Sequence, residues 1–412
     1  MIELKQMHKE IFKNTSFQIL ARGITTIIGF AITVLVARAF GVYGFGEFSK
    51  ITSFIALFYL FADFGLNAIF LKKPQSFSSL FFLRIIISIF LIIFANVGSL
   101  LLPYNSILNT GFSPFVRMGI FIFSFTILSQ GIIYSTSSIF QKKLRFDYFM
   151  ISQIIGEIIN FFIIVVLIFF AKSLELIIIA FVVSNFITAF LSLILAKEKI
   201  SEFDFKYSKD IFKSSLPIGL MMVFNLIYFR IDIILLSIFK SNQDVGIYSL
   251  AYRFFDFFIA LPLFLSNSIY PKLLETIKNK NEFSKITKNY FFIYLISSFV
   301  IIIPVWFLSP LFTLISPDYS ASIYPFRVLI ISLPIFFITS FLQWILISMD
   351  KQRFLMMVYF VAAIINVILN LMFIPKYSYF ASSWITLIGE GLILVLLALK
   401  LVKEKSYLIN ER

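Results

Sequence analysis

Residues 16–40 read SFQILARGITTIIGFAITVLVARAF. This stretch exceeds the roughly 20 residues that an α-helix needs to cross a bilayer. It is also much longer than the apolar part of a secretory signal peptide, which has about 7 to 15 residues. We therefore expect a transmembrane helix that the mature protein retains, preceded by a short helix lying on the membrane surface over residues 2–14.

The composition extends this interpretation to the whole chain. Of its 412 residues, 60% are hydrophobic and 14% are charged, and the mean hydropathy is +0.97. Soluble domains contain about 25% charged residues, so these values indicate a polytopic membrane protein. The net charge of +14 is explained by basic loops at a membrane surface, and we predict no nucleic-acid partner. With no cysteine and with His8 as its single histidine, the sequence predicts no metal site, no cofactor and no catalytic residue.

Apolar runs between charges and turn residues predict twelve transmembrane helices. Each half of the chain would hold six of them, around a charged connector at residues 197–214. Similar strings recur about 200 residues apart, as in Gly46-x-Phe48-Ser49 and Gly246-x-Tyr248-Ser249. An even number of spans in each half makes the two repeats parallel, related by an axis along the membrane normal. We expect an all-α integral membrane protein with two six-helix lobes, at residues 1–196 and 215–412, around a central cavity. The predicted spans are 16–40, 47–71, 79–103, 113–140, 149–171, 174–196, 215–239, 245–271, 290–313, 323–349, 354–375 and 380–402.

Basic residues in the loops predict the orientation. The termini and the loops on their side of the membrane, with Lys400 near the end of the last span, carry 24 Lys and Arg, whereas the opposite loops carry only Lys172, Lys240 and Lys376. Because Lys and Arg concentrate in cytoplasmic loops, both termini should be cytoplasmic.

Charged residues inside the predicted spans are the candidate functional residues, since an ionised group at the bilayer centre costs roughly 2.5 to 3.5 kcal/mol on insertion scales. Arg22 lies on a polar stripe of the first span, at a depth similar to that of Asp63, where the two side chains could pair. Arg230 and Arg253 lie at one level in spans seven and eight, where two guanidinium groups can grip phosphate oxygens. Arg84 is expected to extend to the cytoplasmic surface.

The carboxylates of the spans have two possible roles. Asp63, Glu157, Asp256 and Glu390 either form structural pairs and helix-to-helix hydrogen bonds, or bind a coupling proton or sodium ion. Asp232 is expected to point away from Arg230, because the two are only two residues apart on a helix.

Several strings along the whole chain carry a resemblance to one family, namely VARAFG (36–41), FGEF (45–48), ADFGL (62–66), LPIG (216–219), DIILL (232–236), VGIYSLAYR (245–253), YPKL (270–273), NVILN (366–370) and IPKY (374–377). They resemble the O-antigen-type flippases of the polysaccharide transporter family. This family is a branch of the multidrug, oligosaccharidyl-lipid and polysaccharide exporter (MOP) superfamily. One departure is local: family members often have glycines after the proline of the eleventh helix, where this chain has Ser378 and 380–382.

The resemblance implies a function. Such a protein moves undecaprenyl-diphosphate-linked oligosaccharide units from the inner to the outer leaflet of the bacterial cytoplasmic membrane, for surface polysaccharides such as the O-antigen of lipopolysaccharide. It also implies two six-helix lobes that alternate between inward-open and outward-open states. Arg22, Arg230 and Arg253 would then be cations of the cavity that bind the diphosphate and sugar acids of the substrate.

Three alternatives stay open at this point. An ion-coupled multidrug exporter of the same superfamily would have the same fold, although an anionic cavity would suit cationic drugs better. A peptidoglycan-precursor flippase resembles this chain too, but such proteins usually have fourteen spans. A membrane-bound polysaccharide polymerase or glycosyltransferase generally needs a long external loop, and every external loop predicted here has fewer than about 12 residues, an ordinary connection length.

Overall fold

The computed structural model describes residues 2–72, 75–277 and 279–410, and these residues are almost entirely helical. In a membrane this follows from the backbone, because helices satisfy every N–H and C=O group within one segment. A two-stranded antiparallel hairpin, β1 (Tyr104–Asn105) and β2 (Thr110–Gly111), joins two of the helices, and short 3₁₀ turns cover Ser309–Leu311 and Pro317–Ser322. The helices are α1 (Ile2–Asp63), α2 (Leu66–Lys72), α3 (Phe77–Leu101), α4 (Pro114–Lys142), α5 (Phe146–Phe170), α6 (Leu174–Ala196), α7 (Phe205–Phe239), α8 (Asn242–Ile259), α9 (Leu261–Thr276), α10 (Lys280–Leu308), α11 (Phe312–Ile315), α12 (Ile323–Ile331), α13 (Leu333–Ser348) and α14 (Gln352–Asn410).

Within the described ranges, nine helical stretches are long and apolar enough to cross a membrane. The all-α membrane class predicted from the sequence is therefore confirmed. The longest helices, α1 and α14, each contain one kink, at Gly41 and at Ser378, so each joins two of the predicted spans. The count of twelve spans stays a prediction.

The kink of α1 depends on a glycine. Gly41 has φ 63° and ψ −173°, a backbone conformation that residues with a Cβ rarely adopt. Residues 2–14, for which a separate surface helix was predicted, are helical and continuous with the first span.

The charged connector is partly helical. Helix α7 begins at Phe205, about ten residues before the predicted start of span seven, so only the first part of the segment 197–214 is a loop. Two serines near the start of α3 hold this loop: the backbone N–H of Ser201 donates to Ser78 Oγ (2.6 Å), and that of Asp204 donates to Ser79 Oγ (2.8 Å). The prediction missed this helix start because the polar residues Lys206, Lys209 and Asp210 lie on exposed positions of an amphipathic turn.

Packing divides the chain into two compact units. The first comprises Met1–Leu226 and Ser241–Gly246, and the second comprises Ile227–Lys240 and Ile247–Arg412. In the first unit α4 lies against α1, α3 and α6, and its buried small residues permit the close approach that helices need in lipid. In the second unit α13 packs against α9, α10 and α14.

The segment Ser241–Gly246 packs tightly in the first unit although it follows α7 in the chain. A Cβ atom added to Gly46 would lie 1.7 Å from the carbonyl oxygen of Asn242, and one added to Gly246 would lie 2.1 Å from that of Val42. Only glycine therefore fits at either position. The amide of Asn242 also donates to Oε1 of Glu47 (3.2 Å).

Candidate functional site: charged and polar clusters of the two units

The second unit contains a cluster of two arginines and one aspartate on α7 and α8. Nη1 of Arg230 lies 3.0 Å from Oδ2 of Asp256. The guanidinium carbon of Arg230 also lies 5.3 Å from the ring centroid of Tyr252, a distance at which a cation is attracted to the face of an aromatic ring. The hydroxyl of Tyr252 donates to the carbonyl oxygen of Phe229 (3.0 Å) and so fixes the ring.

Arg253 completes this cluster, which we call the arginine cluster (Arg230, Arg253 and Asp256). Its side chain is exposed on the surface of the second unit, and its charged neighbours are Arg230 and Asp256. One carboxylate faces two guanidinium groups, so the cluster keeps a positive charge. Because Asp256 engages Arg230, the Arg253 guanidinium is the group with donors available for an anion.

Arg22, the third predicted cation, lies on α1 in the first unit. Its side chain is exposed, and its carbonyl oxygen accepts from Thr25 Oγ1 (3.1 Å). The predicted pairing of Arg22 with Asp63 is wrong, because Asp63 pairs with a different arginine.

The partner of Asp63 is Arg84. Nη2 of Arg84 donates to Asp63 Oδ1 (2.9 Å) and to Asn67 Oδ1 (2.9 Å). The Arg84 side chain is 0% exposed, so the prediction that it extends to the cytoplasmic surface is also wrong. The reason is local: a side-chain carboxylate at the end of α1 and an amide on α2 lie within reach of the guanidinium, and pairing with them offsets its burial.

Asp232 forms no ion pair with Arg230, which pairs with Asp256 instead, in line with the spacing of two residues on a helix. It is buried, its carboxylate accepts a hydrogen bond from the hydroxyl of Tyr248, and its Oδ1 accepts one from the N–H of Ile233 (2.8 Å). These contacts connect α7 to α8 within the second unit.

Glu390 is the most enclosed carboxylate of the second unit. It is 1% exposed and accepts two hydrogen bonds, from the hydroxyl of Tyr228 (2.8 Å) and from the hydroxyl of Thr339. These three residues lie on α14, α7 and α13, so Glu390 joins three helices. No cation lies among its described hydrogen-bonding partners, and sequence reasoning missed both hydroxyl donors because neither Tyr nor Thr stands out in an apolar helix.

Glu157 lies on a polar face of α5 in the first unit. Asn160 is its hydrogen-bonding neighbour, and no ion pair involves Glu157 among the described residues. Gln153 lies one helical turn before Glu157, and among the described residues one nitrogen of Gln153 and one oxygen of Asn160 are buried without a hydrogen-bond partner.

Chemically, these clusters differ in what they can bind. The guanidinium groups of the arginine cluster are planar and can donate two parallel hydrogen bonds to phosphate or carboxylate oxygens. The carboxylates of Glu157 and Glu390 have only neutral hydrogen-bond donors around them, so each can take up a proton without losing an ion pair.

Two family models match parts of the chain. The model of the family described as "Polysaccharide biosynthesis protein" matches residues 11–276, and the model of the MatE family matches residues 217–372. The first match covers well over half of the chain. A comparison with curated proteins gave no match.

Solved structures share the fold. The lipid II flippase MurJ, in an inward closed conformation, superposes with a TM-score of 0.80 at 19% sequence identity, covering 94% of this chain and 87% of MurJ. An inward-facing multidrug resistance MATE transporter of the MOP superfamily gives 0.73 at 10% identity, covering 93% and 96% of the two chains. A MOP-superfamily transporter from Pyrococcus furiosus Vc1, for which a reversed polarity of the binding pocket suggests a different function, gives 0.60 at 11% identity, with 96% of each chain covered.

These neighbours are transporters and flippases. At such low identities they show the fold alone, while the family match rests on the sequence itself. The chain therefore belongs to the polysaccharide biosynthesis protein family, and it is a membrane protein that shares the fold of MurJ and the MATE transporters.

Proposed function

We propose that this protein is a flippase that moves undecaprenyl-diphosphate-linked oligosaccharide units across the bacterial cytoplasmic membrane, with both termini in the cytoplasm. The observation that carries the proposal is the positively charged arginine cluster on α7 and α8, in a chain whose family match is to polysaccharide biosynthesis. The fold that it shares with a lipid II flippase supports transport of a lipid-linked substrate.

The physical requirement is to carry two phosphates and a sugar headgroup past hydrocarbon. Cationic donors replace the water around the phosphates while the polyprenyl tail stays in lipid. Alternating access then moves the headgroup without covalent chemistry, so no catalytic residue is needed. Guanidinium groups suit this task because they stay charged and bind phosphate oxygens through two parallel hydrogen bonds.

Within this proposal the residues have separate roles. Arg253 and Arg230 bind the diphosphate, and Asp256 holds Arg230 in place and limits the affinity, so that substrate can leave. Arg22 contributes a further cation from the first unit. Glu157 and Glu390 are the candidate sites for a coupling proton or sodium ion, because neither is neutralised by a described cation.

An ion-coupled multidrug exporter is the second candidate. The MatE match over residues 217–372 and the fold shared with MATE transporters favour it. The charge of the arginine cluster argues against it, because a site with more guanidinium than carboxylate groups repels organic cations.

Complementation tests the proposal directly. In a strain that lacks the gene, we expect Arg253→Ala and Arg230→Ala to abolish surface polysaccharide, and Arg22→Ala to reduce it strongly, while each variant stays in the membrane at the normal level. Arg353→Ala is the matched control, because Arg353 is an exposed arginine at the start of α14, and it should leave the polysaccharide unchanged.

Normal polysaccharide from all three variants would remove these residues as substrate ligands. If the gene instead raised resistance to cationic drugs and its loss left surface polysaccharide intact, the protein would be a multidrug exporter and the flippase proposal would be wrong.

A further inference from the structure

The second unit contains a groove that is separate from the arginine cluster. Helices α10, α13 and α14 line this cavity of about 470 Å³, and neither Arg230, Arg253 nor Asp256 contributes to it. Its volume lies in the range of small-molecule sites, roughly 300 to 1,000 Å³. A ligand bound in this groove would therefore be distinct from the sugar headgroup of the proposed substrate.

Both polar and apolar residues of α10 line the groove. Asn281, Ser284 and Lys288 share a helix face and form its polar end together with Thr287 and the ring of Phe283, and Phe291 lines it further along the helix. Ten residues of helix separate Asn281 from Phe291, which corresponds to roughly 15 Å along the axis. Leu342 and Ile345 of α13 continue the apolar end. This order matches an amphiphile with a polar head and a hydrocarbon tail.

Charge favours an anionic head. Lys288 is exposed and forms no ion pair with any described residue, and none of the described residues that line the groove is acidic. The polar end lies within the basic segment 272–289, which also contains Lys272 and Lys285 and which the distribution of basic residues assigns to the cytoplasmic side. Anionic lipids of that leaflet attract basic residues near the membrane surface by about 1 kcal/mol for each Lys or Arg.

We propose that this groove binds an anionic phospholipid of the cytoplasmic leaflet, with its phosphate at Lys288 and one acyl chain against Phe291, Leu342 and Ile345. A free phosphate ion would leave the apolar end empty. A polyprenyl diphosphate would bring two phosphates to a single lysine, whereas the arginine cluster offers two guanidinium groups for that charge. The groove therefore matches a lipid with one phosphate.

The experiment uses the purified full-length protein in detergent, titrated with palmitoyl-oleoyl phosphatidylglycerol and, separately, with palmitoyl-oleoyl phosphatidylcholine. Native mass spectrometry counts bound lipids, and thermal unfolding measures the stabilisation that each lipid confers. We expect phosphatidylglycerol to be retained more than phosphatidylcholine. Lys288→Gln should weaken phosphatidylglycerol binding by about fivefold, the equivalent of one lost lysine contact.

Two matched pairs of variants test the location. Lys285→Gln removes the same charge from an exposed position of α10 that does not line the groove, so it should leave binding unchanged. Ser284→Trp obstructs the polar end without changing the charge and should also weaken binding, whereas Asn289→Trp, exposed and outside the lining, should not. All four positions are exposed on α10, so folding tolerates the changes.

Three results would overturn the proposal. One is equal retention of the two lipids by the unchanged protein. Another is an equal loss of binding in Lys285→Gln and Lys288→Gln, which would indicate attraction to the basic surface as a whole. The third is displacement of phosphatidylglycerol by undecaprenyl diphosphate with a dependence on Lys288, which would assign the groove to the substrate lipid.

Discussion

At the scale of single residues, Arg84 is a charge that the fold buries completely. Its side chain is 0% exposed, and its Nε and Nη1 atoms have no hydrogen-bond partner among the described residues. Asp63 supplies the compensating charge, and its carboxylate is 20% exposed. A buried cation with one partner depends on that partner, because an uncompensated charge in a low-dielectric interior is costly.

This arrangement predicts unequal effects of removing the two partners. Asp63→Leu leaves Arg84 buried without a counter-charge, and it should lower the free energy of unfolding by about 3 to 5 kcal/mol. Arg84→Leu should cost less, because the remaining carboxylate keeps some access to solvent. The double variant should recover most of the stability lost in Asp63→Leu, and thermal unfolding of the purified protein in detergent measures all three.

Arg145→Leu is the control for this series. Arg145 is an exposed arginine that pairs with Asp147 two residues away, and its loss should change stability by no more than about 0.5 kcal/mol. A double variant as unstable as the sum of the two single variants would show that the Asp63–Arg84 pair does not act as a unit.

At the scale of elements, the two longest helices are divided by single residues with positive φ. Gly41 supplies the kink in α1 at no steric cost. Ser378, with φ 53° and ψ −141°, occupies the corresponding kind of position in α14, shortly after Pro375. Family members often have glycines after this proline. The local departure from the family pattern therefore falls on a position whose backbone conformation favours glycine.

Ser378→Gly should stabilise the protein. A non-glycine residue in a backbone region that is essentially restricted to glycine costs about 1 to 3 kcal/mol, whereas glycine costs about 0.5 to 1 kcal/mol in added chain freedom of the unfolded state. The expected net gain is about 1 kcal/mol, seen as a higher midpoint of thermal unfolding in detergent.

The same substitution, serine to glycine, should lower stability when it is made inside a regular helix. Ser284→Gly, at an exposed position inside α10, should destabilise by about 0.5 kcal/mol. Equal losses from Ser378→Gly and Ser284→Gly would mean that residue 378 is not strained.

At the scale of the whole molecule, one segment packs in a different unit from the residues that flank it in the chain. Ser241–Gly246 follows α7 and begins α8, yet it packs in the first unit. Besides its glycine contacts, Ser241 forms an isolated antiparallel bridge to Thr110 of the β-hairpin, and Asn242 donates to Glu47. We predict that alternating access requires this segment to leave the first unit in one state of the cycle.

Cross-linking tests this requirement. The chain contains no cysteine, so Glu47→Cys combined with Asn242→Cys introduces the only two thiols. The side chains of these residues approach to 3.2 Å, and a short bifunctional thiol reagent should join them, as peptide mass spectrometry would show. Joining should stop surface polysaccharide synthesis in complemented cells, and a cleavable reagent should restore it on reduction.

Each single-cysteine variant, treated with the same reagent, is the control and should remain active. Undiminished polysaccharide from fully cross-linked protein would show that the segment stays in the first unit throughout the transport cycle.

The sequence by itself determined the membrane class and the helical content, because hydropathy sums transfer free energies that each residue contributes locally. It also determined the family, through the short strings that resemble it. It also located the charges within the apolar segments, and it predicted that Asp232 and Arg230 point in different directions, since helix periodicity is a local property. Of the predicted site, the arginines Arg230 and Arg253 are brought together on α7 and α8, while their role in binding substrate stays a prediction.

Tertiary structure alone decided which charges meet. Arg22 and Arg84 are both arginines of apolar helices near Asp63, and nothing local distinguishes them; the rotation and crossing of α1 and α3 select Arg84. The hydroxyl partners of Glu390 lie 51 and 162 residues from it along the chain. Distant segments also create the packing of Ser241–Gly246 in the first unit and the groove along α10. Contacts between helices depend on how whole helices pack against one another, and a sum of transfer free energies over single residues carries no information about that packing.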